Sequence, residues 1–304
     1  MDGIINVHKE KGYTSHDVVA RLRGIFHQKK IGHTGTLDPE ATGVLPVCLG
    51  RATKVCELLT EKRKSYVARV RLGVVTDTQD MTGQILGEHP VNVTENEIRH
   101  VLSSFTGELW QTPPMYSAVK INGKRLYELA RQGQEVERKP RKITVYSCEM
   151  TEYFPEQHEF VMEVTCSKGT YIRALCHDIG EMLSCGAAMA SLVRTKVDIF
   201  ELSQALTLSQ IEERVGDGTI HKYITEIDAL FLSYPAVTVL PSGIRYVQNG
   251  NEIRAEWCRE IPENTPDGRV RLYDTDGRFY AIYCYDEKKR IFTNVKMFYN
   301  HVED

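Results

Sequence analysis

A chain of 304 residues and 34.7 kDa is long enough to bury a sizeable core, as one large domain or as a large domain beside a small one. Its hydrophobic share of 41% and charged share of 26% lie near the averages for globular proteins, which excludes a disordered or fibrous class. The net charge of −3 hides a division: residues 1–75 carry +6 and residues 120–142 carry +5, while residues 76–119 carry −5 and residues 143–304 carry −9.

The first residues, Met1 to Gly12, lack the apolar core of a signal peptide, and no uncharged apolar run is long enough to span a bilayer, so a cytosolic location is expected. Gly3 to His8 suits a strand. Ser15 is expected to cap a helix whose apolar face is Val18, Val19, Leu22, Ile25 and Phe26. A glycine-rich loop from Gly32 to Gly43 follows, then a buried strand from Val44 to Leu49, a helix from Ala52 to Leu59 and an alternating strand from Ser65 to Leu72. Thr94 and Glu97 form a capping box that opens a helix through Phe105, and Trp110 to Val119 reads as extended.

Asn122-Gly123 is a turn signal, and Lys124 to Gln132, ended by Gly133, reads as a short basic helix. With the charged stretch to Lys142 it makes an insertion, at about residues 124–142, whose weak apolar content suggests mobility until a partner binds. Lys142 to Phe154 and Glu159 to Cys166 read as paired strands, Thr170 to Leu183 as a helix and Met189 to Phe200 as a strand. Polar helical pieces fill residues 201–232, and Tyr234-Pro235 marks a boundary. Short strands at Val270–Tyr273, Phe279–Tyr285 and Ile291–Phe298, with an Asp276-Gly277 hairpin turn, predict a small β-rich domain over 235–304 after a larger one over 1–234. Eight scattered cysteines without a C-x-x-C pair or zinc spacing read as reduced, mostly buried thiols.

Two basic segments on an acidic body are the footprint of a focused phosphate-binding surface, because a local field attracts a polyanion whatever the total charge. A charge run alone is more often a solvated face. The richest stretch is Gly32-His33-Thr34-Gly35-Thr36-Leu37-Asp38-Pro39-Glu40-Ala41-Thr42-Gly43-Val44-Leu45-Pro46. Its glycines let a ligand approach the backbone, and Pro39 keeps Asp38 out of a helical conformation, so the carboxylate is held on a stiff turn. A lone Asp-Pro is usually an ordinary turn; this one sits in a much longer pattern.

That pattern resembles the catalytic loop of the TruB-type pseudouridine synthases, which act on uridine 55 in the T loop of tRNA. Further segments follow in the family's order over most of residues 3–200, with a weaker likeness at the C-terminus. One departure is His8-Lys9-Glu10-Lys11-Gly12, where the family usually has D-K-P-x-G, and losing the proline bears on the stiffness of that turn. The resemblance implies an α+β fold, with a mixed, largely antiparallel sheet in the catalytic domain and a small C-terminal β-barrel of the PUA type that binds RNA.

By the same resemblance Asp38 is the catalytic aspartate, acting either as a nucleophile or by promoting a transient elimination at the sugar-base bond. Arg173, in Gly169-Thr170-Tyr171-Ile172-Arg173, would keep Asp38 charged and aimed through a two-point grip. Tyr66, in Lys64-Ser65-Tyr66, would stack on the everted base near C5, and Leu192, in Ser191-Leu192-Val193-Arg194, would pack its other side. His33 would enter the T loop in place of bases turned outward, and Lys120 would lie near the substrate backbone. Gly35, Thr36, Lys64 and Tyr171 complete the substrate-contacting set. Lys29, Lys30, Lys62, Arg63, Lys124, Arg125, Arg131, Arg138, Lys139, Arg141 and Lys142 are candidates for phosphate contact. The partner implied is tRNA itself, with no cofactor, metal, guide RNA, membrane or obligate protein partner, and a tRNA-folding role is compatible with the same grip.

Overall fold

A computed structural model describes residues 1–121, 123–262 and 265–299, so Asn122 of the expected Asn122-Gly123 turn lies outside the described residues. The chain has the predicted α+β architecture. Its larger sheet has ten strands, eight of them in the order Ile224–Thr225, Gly3–Lys9, Thr42–Leu49, Ala187–Val197, Lys64–Leu72, Glu159–Cys166, Arg141–Phe154, Gly107–Gln111. Ile31–His33 adds to Thr42–Leu49, and Phe200–Glu201 to Ala187–Val197. Only the pairing of Ala187–Val197 with Thr42–Leu49 is parallel, and these two strands join the halves of the sheet.

Strand chemistry accounts for the layers. Lys64–Leu72 buries every second residue, and Tyr66, Ala68, Val70 and Leu72 face a core built with Ile98 and Leu102 of helix Glu95–Ser104 and Leu175 and Ile179 of helix Ile172–Met182. In the other half, neighbouring Ile4 and Ile5 are both fully buried, in different clusters. Ile5, with Val7, Leu45 and Val47, packs on helices Ser15–Ile25 and Leu208–Gly216. Ile4 joins Val44 and Cys48 in a cluster that reaches Ile282 and Phe298 of the C-terminal unit. That unit is a six-stranded sheet curled into a nearly closed barrel, in the order Ile253–Arg254, Ile291–Met297, Phe279–Asp286, Arg269–Tyr273, Ala236–Val239, Cys258–Arg259.

Several boundaries differ from the sequence reading. Thr14, not Ser15, caps the first helix, in a capping box with Asp17, which leaves the Ser15 hydroxyl free to accept the Leu37 N–H at 2.9 Å. The expected helix from Ala52 divides into a 3-10 segment, Gly50–Val55, and a short helix, Cys56–Thr60. The basic insertion, expected as one helix over Lys124–Gln132, instead pairs Lys120–Ile121 with Lys124–Arg125 and continues into helix Leu126–Ala130. Its apolar residues are few but well placed, since Leu126 and Leu129 are buried and the Leu126 N–H reaches Val119 C=O at 2.8 Å. All eight cysteines are free thiols, five of them buried. No described helix is long and apolar enough to cross a membrane.

Candidate active site

Asp38 sits on the loop between strands Ile31–His33 and Thr42–Leu49, where the Ala41 N–H closes a turn onto Asp38 C=O at 3.1 Å. Two anchors hold this loop from outside. Lys9, fully buried at the end of the first strand, donates from its ammonium to the carbonyls of Glu10, Tyr13 and Pro39 at 3.1, 2.6 and 3.0 Å. Burial pulls its pKa down to about 8, although the nearby Asp38 charge opposes the fall. The Gly12 N–H also reaches Pro39 C=O, at 2.9 Å, so the turn that lacks the family's proline is tied by hydrogen bonds instead.

The second anchor is Arg194, only 1% exposed. Its Nε donates to Val44 C=O at 2.7 Å, Nη1 to Thr36 C=O at 3.5 Å and Nη2 to Gly35 C=O at 3.4 Å. A buried guanidinium needs such acceptors because it cannot neutralise cheaply, and here burial presses its pKa down while Tyr66 supports it. Gly43 makes the approach possible: its φ is +106°, and a Cβ there would collide with the Arg194 backbone. Arg194 lies directly across the ladder from Tyr66, whose own pKa is raised, mainly by burial.

Arg173 comes from the first turn of helix Ile172–Met182 and meets Asp38 at the cleft. Its Nε is 3.0 Å from Asp38 Oδ2, the one ion pair that Asp38 makes among the described residues. The two-point grip expected from the sequence is therefore a single contact, because the other guanidinium nitrogens are taken. Nη1 donates to Thr78 C=O at 3.0 Å and lies 3.6 Å from Asp80 Oδ2, and Nη2 donates to Tyr116 C=O at 2.8 Å. Arg173 is buried at 7% while the Asp38 side chain is 42% exposed, so a fixed cation presents a carboxylate that a substrate can reach.

These groups share one cleft of about 760 Å³. Asp38, Tyr66 and Arg173 line it, as do Gly35, Thr36, Lys64, Lys120, Tyr171 and Leu192, together with Arg125 and Arg131 of the insertion. Lys64 lines it with its stem, since the ammonium donates to Thr60 and Lys62 carbonyls at 2.8 Å each, and burial lowers its pKa to about 8. His33 stands beside the cleft: its Nδ1 accepts the Gly35 N–H at 3.3 Å, and its ring meets His16, which does line the cleft, edge to face at 5.1 Å. Burial lowers the His33 pKa, and the His16 charge adds to this.

The phosphate candidates scatter. Lys124 is exposed on the insertion hairpin, Lys139, Arg141 and Lys142 are exposed beyond its helix, and Lys29 and Lys30 are exposed before strand Ile31–His33, away from the cleft wall. Lys62 pairs with Asp198, Arg63 covers the Tyr146 ring, and Arg138 donates to Pro113 C=O. Sequence reasoning missed Asp80, Arg194, Lys9 and Tyr116. Of these, Arg194 stands two residues after Leu192 in the same strand, where its charge in a buried run was the available signal. Asp80 had no local signal beyond its Thr-rich surroundings, since its partner is remote in sequence.

A reachable carboxylate held by a buried arginine thus lies next to a buried tyrosine, in a cleft roomy enough for a nucleotide, on a mostly antiparallel sheet. The same fold occurs in a Cbf5-Nop10-Gar1 complex, with a TM-score of 0.72, 28% identity and coverage of 98% of this chain and 85% of that one. An H/ACA RNP bound to a substrate RNA containing 2′-deoxyuridine matches at 0.72 and 26%, with the same coverage. Among curated proteins, the tRNA pseudouridine synthase B of Lachnoclostridium phytofermentans is 51% identical over 98% of this chain and 100% of its own length, and that of Clostridium kluyveri 43% over 93% and 95%. The N-terminal domain of the TruB family of pseudouridylate synthases matches residues 23–172, and the C-terminal domain of tRNA pseudouridylate synthase B matches residues 173–231. The chain belongs to the TruB family of tRNA pseudouridine synthases.

Proposed function

We propose that this enzyme isomerises uridine 55 in the T loop of free tRNA, in the cytosol, with the target base everted into the Asp38 cleft. The observation that supports this best is that Asp38, Tyr66 and Arg173 line one cleft although they come from a loop, a strand and a helix distant in sequence. In the reaction the N1–C1′ bond breaks, the uracil turns, C5–C1′ forms, the C5 proton leaves and N1 gains one. Asp38 acts at the sugar, either by bonding to C1′ or by taking a proton in a transient elimination, and Arg173 holds it through Nε. Tyr66 and Leu192 sandwich the base, and His33 fills the space that the everted bases leave in the T loop. Cations of the 124–142 insertion close on the phosphates, and the C-terminal barrel acts as a PUA-like RNA contact.

The closely similar curated relatives are tRNA enzymes, whereas the structural neighbours at 26–28% identity come from an H/ACA RNP and a Cbf5-Nop10-Gar1 complex, which favours action without a guide. Release of tritium from C5 of a T stem-loop RNA, with no other component added, tests the reading. Tight binding without release would instead favour a module that grips and folds the T loop.

A further inference from the structure

The outer face of the large sheet carries an aromatic and basic strip that meets the cleft only at Lys168. Strand Gly107–Gln111 ends the sheet order, and its alternation turns Leu109 and Gln111 inward and Glu108 and Trp110 outward. The Gln111 side chain is fully engaged, accepting the Tyr171 N–H at 2.8 Å and donating to Tyr171 C=O at 3.0 Å, so this strand is fastened to the cleft wall. Trp110 is 73% exposed, the most exposed large hydrophobic side chain among the described residues. An indole left in water forgoes the burial its area would gain, which makes it a natural contact for a partner with a flat face.

Lys142 lies directly across the ladder from Trp110, with its ammonium 2.9 Å from Glu108. Two residues further, Thr144 C=O accepts the Ser167 N–H at 2.8 Å, and the next residue, Lys168, lines the cleft and pairs with Glu61. Tyr146, also exposed, holds the Arg63 guanidinium 3.9 Å over its ring. The strip therefore runs from the rim of the cleft to Trp110. Its lysines are paired with exposed carboxylates, and such pairs are weak enough for a phosphate to replace them at little cost. Around Trp110 the cross-strand neighbour is Lys142 and the same-strand outward neighbour is its partner Glu108, so no apolar patch continues from the indole to meet a second protein's, while Lys142 offers a cation to a phosphate.

We infer that this strip binds an unpaired segment of the substrate tRNA outside the T stem-loop, with one base stacked on Trp110 and phosphates beside Lys142 and Lys168. Alternating π-faces and cations are what single-stranded RNA requires, since bases stack while the backbone follows the charge. The inference rests on the tRNA reading above. Kinetics of Trp110→Ala on full-length tRNA and on the isolated T stem-loop separate the two. The expected result is a KM for tRNA raised on the order of ten-fold, the usual scale for removing one base–aromatic stack, with kcat and stem-loop kinetics unchanged and Trp110→Phe restoring most of the loss. An equal change on both RNAs, or none on either, overturns the strip and leaves T-loop isomerisation intact. If wild-type protein fails on the stem-loop, the T-loop reading fails while the strip is still tested by fluorescence. The chain has two tryptophans, so Trp257→Phe isolates Trp110 emission. Quenching by full-length tRNA is expected, and unchanged emission at saturating tRNA would overturn the strip and leave it to a protein partner.

Discussion

Arg173 reaches Asp38 with one nitrogen and spends the other two on Asp80, Thr78 and Tyr116. The arginine is therefore set by its own neighbours before any substrate arrives, and Asp38 pairs with a group that is itself held by other contacts. Pre-organisation of this kind concentrates the effect of a substitution in kcat and not in KM.

Asp38→Ala removes the carboxylate proposed to act at the sugar. Tritium release should fall to background while tRNA affinity stays within a few-fold of wild type. Turnover at a normal rate would remove Asp38 from the chemistry.

Asp80→Asn keeps the size of the side chain and removes the charge beside Arg173 Nη1. A guanidinium displaced by about 1 Å costs on the order of a hundred-fold in rate, so kcat should drop by roughly ten- to a hundred-fold with KM little changed. A rise in KM alone would show that Asp80 serves binding instead.

Arg194→Met removes the donor to three backbone carbonyls, Gly35 and Thr36 in the loop and Val44 in the strand after it. Each buried acceptor left without a donor costs about 1 to 3 kcal/mol, so the unfolding free energy should fall by at least about 3 kcal/mol, seen as an earlier urea midpoint. An unchanged midpoint would mean that water takes over the carbonyls.

Lys64 has a folded pKa of about 8, below its ordinary value of 10.5, because it is buried. Below pH 8 both states carry the ammonium and the folded protein bears its full desolvation cost. Between pH 8 and 10.5 the unfolded chain holds a proton that the folded chain has lost, so raising the pH favours folding. Relative to Lys64→Met, wild-type stability should rise over this window by up to about 3 kcal/mol. A pH-independent difference would show that the ammonium keeps its ordinary pKa.

Reversing Lys124, Arg125 and Arg131 to glutamate should raise KM for tRNA and flatten its dependence on salt, since a phosphate that no cation neutralises keeps its condensed counterions and releases none on binding. An unaltered salt slope would place these cations outside the RNA interface.

Much of the molecule was legible in the chain. The strand Lys64–Leu72 alternates in sequence as it does in burial, the Thr94–Glu97 capping box forms as expected, and a loop does carry Asp38, although it is shorter than the expected Gly32–Gly43, since Gly32 and Gly43 lie in the strands on either side. These are local properties, fixed by side-chain period and backbone preference within a few residues. The helix in the basic insertion is shorter than its sequence suggests because two leucines decide its packing and the hairpin before it takes Lys124 and Arg125.

What the sequence settled by itself is the identity of the acidic loop and the order of the elements that carry it. Only the tertiary structure decided how that loop is held, because its anchors are Lys9 from an earlier strand and Arg194 from a later one, both aimed at backbone carbonyls. Carbonyls occur at every residue and leave no mark in a sequence. Which of them a buried cation finds is fixed by how the strands pair, and that pairing, Gly43 beside Arg194 and Tyr66 across from it, exists only once the sheet has closed.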